Sequence, residues 1–182
     1  MSTEKKYYTG IGSRKTPETI QTQMTHYAQE LAMAGWMLRS GGASGADTAF
    51  QDGVNALQRE IYLPWSGFNK LKEMPEKGLF LTTKLEHFEK ASEIAKEFHK
   101  NWDSLKPWIQ ALHTRSVFSI LGPSLDDPSQ FVLFWAEIYK GDLVKGGTGM
   151  SVRVALKYKI PCFNLIDEET PARFQTFLDT LK

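Results

Sequence analysis

Three glycine-rich segments carry the residues best suited to hold an anion: Gly10–Lys15, Ser40–Gly45 and Gly146–Gly149. Glycine lets backbone amides approach a ligand, and a helix start adds partial positive charge, so such loops suit phosphate groups. In the first, Gly12 leads into Ser13, Arg14 and Lys15, a hydroxyl and two cations for an oxyanion. The second runs Ser40, Gly41, Gly42, Ala43, Ser44 and Gly45; the third is Gly146, Gly147, Thr148 and Gly149. Arg153 lies one turn into the helix expected after the third loop, where a cation opposes the dipole and calls for an anionic partner. Arg115 is a further candidate cation.

Two carboxylates accompany these loops. Asp47 either closes the capping box Ser44-Gly45-Ala46-Asp47 or contacts a ribose hydroxyl. Glu137 follows an apolar run and is a candidate acid/base or ribose contact. Glu137 and Asp47 are therefore the candidate catalytic residues should the ligand be cleaved. Trp65, Trp135 and Tyr139 follow strand ends, where a ring can stack on a base.

The elements that must position these groups follow from periodicity. Tyr7–Gly12, Trp36–Ser40, Ile61–Leu63, Phe131–Ala136 and Ile160–Leu165 read as strands. Helices are expected from Thr16-Pro17 to Gly35, with Thr16 as cap, and from Ala46 to Leu57. Further helices are expected over 85–102, 105–120, 152–156 and 171–181. Residues 64–82 read as a long loop, and Glu137–Lys145 as a polar link. Strand-helix alternation predicts a Rossmann-like, doubly wound α/β fold with a mostly parallel sheet, whose loops converge at its carboxyl edge. One domain over 1–182 is expected, with 64–130 as a helical insert or lid between the third and fourth strands.

Composition narrows the chemistry. Lys+Arg of 22 against Asp+Glu of 21 gives a net charge of +1, against binding nucleic acid by bulk charge. The single cysteine, Cys162, excludes an intrachain disulfide and a cysteine-rich zinc site, and the four histidines have no zinc-like spacing. No metal or resident cofactor is expected. The segment Gly10–Lys15 lacks the third glycine of the dinucleotide motif, and Arg39-Ser40-Gly41 stands where its acid belongs. No P-loop and no G-x-S-x-G motif occur. No apolar run approaches a membrane span and the N-terminus is polar, so a cytoplasmic protein is expected.

Gly12-Ser13-Arg14, then Ser40 to Asp47, then Gly146-Gly147-Thr148 and Ile160–Asn164, resemble the Rossmann-like domain of the DNA-processing protein A (DprA/Smf) family, within the SLOG superfamily. That superfamily includes the "lonely guy" phosphoribohydrolases and sensors of NAD-derived signals. The resemblance covers 7–63 and 131–165. It implies a phosphate-bearing nucleotide or ADP-ribose-like ligand at the glycine loops, bound for sensing or sequestration or cleaved at its N-glycosidic bond. It implies single-stranded DNA binding as the alternative, and association into a dimer or larger homo-oligomer. The phosphoribohydrolase signature P-G-G-x-G-T-x-x-E is not completed, because no acid stands in its place after Thr148.

Overall fold

A computed structural model describes residues 5–141 and 143–181. Its strands are β1 (Lys6–Gly12), β2 (Trp36–Ser40), β3 (Arg59–Leu63), β4 (Leu79–Leu81), β5 (Val132–Trp135), β6 (Ile138–Lys140), β7 (Leu143–Val144) and β8 (Cys162–Asn164). Its α-helices are α1 (Glu18–Met33), α2 (Ala46–Asp52), α3 (Phe88–Lys96), α4 (Pro107–Leu121), α5 (Gly146–Lys157) and α6 (Thr170–Asp179). Six strands form one parallel sheet in the order β4-β3-β2-β1-β5-β8.

Helices cover both faces, so the strands are apolar on both sides. Along β5, Val132 and Phe134 enter the core shared with α3, α4 and α5, while Leu133 and Trp135 enter the core shared with α1, α2 and α6. The same alternation divides Tyr62 from Ile61 and Leu63 on β3. This explains why Phe131–Ala136 reads as an unbroken apolar run: every residue in it is buried.

Residues 64–130 are integrated with this sheet rather than set apart as an insert. The expected loop 64–82 contains β4, which pairs in parallel with β3 from Ile61↔Leu79 to Leu63↔Leu81. Thr82 Oγ1 then donates to Leu63 O at 3.0 Å and fastens the edge. Helix α4 is the crossover into β5, and its Val117, Phe118, Ile120 and Leu121 are core residues. The expected helix over 85–102 stops at Lys96.

Other boundaries shift for local reasons. Helix α2 ends before Gly53, where a Cβ would lie 2.5 Å from Thr25 O on α1. A separate 3-10 turn, Ala56–Gln58, follows, capped by Asn55, and leaves Leu57 80% exposed. Thr16 does not cap α1; its hydroxyl donates to Ser13 O at 2.7 Å, and Pro17 precedes the first helical turn. The link Glu137–Lys145 includes the antiparallel hairpin β6–β7.

Candidate functional site

Adjacent strands β1 and β5 leave the sheet in opposite directions, since β1 leads toward β2 and β5 toward β8. At such a reversal the loops diverge and open a crevice at the carboxyl ends. A cleft of about 720 Å³ lies there. Its floor is Ile11, Gly12 and Ala136; its walls come from Ser13–Lys15, from α4, and from 137–151.

The cleft gathers Gly12, Ser13, Arg14, Lys15, Ala43, Asp47 and Arg115. It also gathers Glu137, Gly146, Gly147 and Thr148. It does not reach Ser40, Gly41, Gly42, Ser44, Gly45, Trp65, Gly149 or Arg153. Most of those residues have other work. Ser40 Oγ donates to Gly10 O at 2.7 Å. Gly42 (φ +70°) packs against Ile61, Leu63 and Leu71, and Gly45 against the backbone of Ser13 and Arg14. Ser44 is exposed. Trp65 stands edge-on to Phe68. At Gly149 a Cβ would lie 1.8 Å from Val144 O, so this glycine seats α5 on β7. Trp135 is buried in the core, leaving Tyr139 as the cleft ring among the three named from sequence.

Asp47 is neither a helix cap nor an open carboxylate. It accepts from Gly12 N–H and Ala43 N–H at 3.2 Å each and pairs with Arg115 Nη1 at 3.5 Å. The capping box fails because the acid turns toward Ala43 and β1, while Gly45 takes the cap position. Burial raises the Asp47 carboxyl above its ordinary range, opposed by Arg115 and the amides of Ala43, Gly12 and Gly41. Burial likewise lowers Arg115, with Asp47 opposing. The contact joins the first two loops to α4, across 68 residues of sequence.

Several backbone amides of those loops are therefore occupied. Besides Gly12 and Ala43, Ser13 N–H donates to Trp135 O at 2.9 Å and Lys15 N–H to Ser13 Oγ at 3.1 Å. The third segment differs. Helix α5 starts at Gly146 with no side chain capping it. The first amides of a helix have no partner within it. A Cβ on Gly147 would meet nothing within 4 Å, so that end is open to the cleft. Arg14 and Lys15 are exposed nearby in the lining, as is Lys145.

Phe68, Trp108 and His113 had no motif to reveal them, whereas Tyr139 and Glu137 were named from sequence. Phe68 is a buried platform between two cations, 5.9 Å from Arg14 and 5.7 Å from Arg115. Trp108, on α4, lines the cleft while 52% exposed. Tyr139 is 63% exposed, with Lys145 Nζ 4.1 Å from its ring centre. His113, also in the lining, is buried. Glu137 is an exposed carboxylate of the rim. Among the described residues no cluster of metal-ligating side chains occurs, and no helix is long and apolar enough to cross a membrane.

The fold and the cleft at its reversal point define a Rossmann-like protein with the architecture of DNA processing protein A. The structure is similar to DNA processing protein A from Helicobacter pylori, which binds single-stranded DNA, with TM-score 0.54 and 19% identity over 87% of this chain. This chain spans 64% of that one. It is also similar to the Moco carrier protein of Chlamydomonas rheinhardtii, with TM-score 0.50 and 18% identity over 98% of this chain and 86% of that one. No protein-family model and no curated protein matches the sequence.

Proposed function

We propose that this protein binds a phosphate-bearing nucleotide or ADP-ribose-like ligand in the cleft, as a sensor or carrier rather than as a hydrolase. The observation that carries the reading is the uncapped, glycine-lined start of α5, open to a concave site that Arg14, Lys15 and Lys145 also line. A phosphate seated there would take the free amides and the Thr148 hydroxyl, with the three cations around it. Glu137 would accept from a ribose hydroxyl, and the base would lie against Trp108 or Tyr139. The bonds that hold Asp47 disfavour it as an acid/base, which is why binding is preferred over cleavage. The likeness to a carrier protein supports small-ligand binding in general.

Single-stranded DNA is the second reading, favoured by the likeness to the Helicobacter pylori protein and by the exposed rings at the rim. Thermal shifts with AMP, ADP, NAD and ADP-ribose, beside oligothymidine binding at low and high salt, separate the two. A nucleotide that raises the melting temperature, together with weak oligonucleotide binding, supports the first. Tight, steeply salt-dependent oligonucleotide binding with no nucleotide shift overturns it.

A further inference from the structure

Behind the α4 wall lies a group of side-chain nitrogens that the phosphate site does not use. The rings of His99, just beyond α3, and His113, on α4, have centres 4.2 Å apart. His99 Nε2, His113 Nδ1 and Arg153 Nε are all buried without a hydrogen-bond partner. His113 is only 8% exposed, yet it is part of the cleft lining. Unpartnered polar nitrogens in a buried place are costly, and several together call for a partner.

We propose that His113, backed by His99 and Arg153, forms a second oxyanion subsite in the inner wall of the cleft, taking a phosphate or carboxylate group separate from the phosphate at α5. The inference deepens the ligand reading above and rests on it: the ligand would carry two anionic groups. Arg153 is a donor at any pH, and an imidazole donates from both nitrogens once it is protonated. The charged or titratable groups acting on His113 are His99 beyond α3, Arg153 on α5 and Arg115 on α4 itself, and none is a carboxylate. An anion in the cleft beside His113 would pair with its protonated ring, and the Arg153 charge behind the wall would favour it.

The same neighbours give the subsite a pH signature. Burial, then His99, Arg153 and Arg115, push the His113 ring down to about 4. The ring is thus neutral near pH 7. An oxyanion beside it favours the imidazolium, so its midpoint rises and binding takes one proton from solvent. Affinity then strengthens as pH falls from the bound midpoint toward the free one.

The test uses the whole protein and inorganic pyrophosphate. Histidine ring resonances, assigned with His113→Gln, are followed from about pH 4 to 8 with and without the anion. The Gly147 amide reports the α5 end in the same spectra. The expected result is a His113 midpoint raised by about one unit or more. Pyrophosphate should also bind about tenfold more weakly to Arg153→Gln than to the parent protein. A moving Gly147 amide with an unmoved His113 midpoint overturns the subsite and leaves the nucleotide reading standing. If neither responds, and no nucleotide stabilises the protein, both fall.

Discussion

Gly41 has no room for a side chain. A Cβ there would lie 1.1 Å from Arg115 Nη1 and 2.9 Å from Asp47 Oδ2. Its role is to let a guanidinium pass close to the backbone and meet Asp47, which its position in a glycine loop does not reveal. Gly41→Ala is expected to displace Arg115 and leave Asp47 buried without its cation. Breaking such a pair costs about 3–5 kcal/mol, which a denaturant titration would read, and a nucleotide's thermal shift should vanish with it. Gly147→Ala is the contrasting case. Its Cβ would meet nothing within 4 Å, so the melting temperature of the free protein should hold within experimental scatter. Nucleotide affinity should still fall, because the methyl would stand where the phosphate approaches. If Gly147→Ala binds nucleotide normally, the phosphate does not sit at α5.

The hairpin β6–β7 is where the elements decide what the cleft can hold. It carries Ile138, Tyr139 and Leu143, each at least half exposed, and the first two line the cleft. Gly149 fixes its position by allowing α5 to touch Val144. Tyr139→Ala should weaken nucleotide binding by about 1–3 kcal/mol if the ring stacks on the base, with an unchanged melting temperature for the free protein. An equal loss for inorganic phosphate would assign the effect to Lys145 instead, since it lies over the same ring. The parallel sheet was legible in the sequence, because strands buried on both faces read as continuous apolar runs and each long helix shows a regular stripe; its strand order, and so its reversal point, comes from the pairing. The hairpin was not, since its two strands are short and mostly exposed and carry no such pattern. Strand β4 escaped for a similar reason: it is three residues long and is held by pairing with β3 rather than by its own periodicity. The glycine loops were legible as turns at the carboxyl edge of the sheet. The division within them was not, because it depends on Asp47 meeting Arg115 and on which amides are already bonded.

At the scale of the whole molecule, protonated groups in the sheet make its stability sensitive to alkali. Burial raises the Cys162 thiol to about 12 and, with Glu60 adding to it, the Tyr7 phenol to about 12. Burial also raises Tyr8 and Tyr62, which sit in the two opposite cores. All four carry folded-state values above their unfolded ones, so all four act with the same sign. The folded chain keeps protons that the unfolded chain releases, and the stability they contribute is fully present below the unfolded values of about 9 for cysteine and 10 for tyrosine. It is lost as pH rises from there toward 12. Each group adds a slope of up to about 1.4 kcal/mol per pH unit, so the combined loss steepens above the tyrosine value. Denaturant midpoints measured at stepwise higher pH should therefore decline slowly at first and then sharply. Tyrosinate absorbance from the buried rings should appear together with the loss of helical circular dichroism rather than before it. Ionisation of Tyr8 and Tyr62 in a chain that keeps its full circular dichroism would mean that water reaches both cores. The division of the apolar residues into two sealed layers would then be wrong.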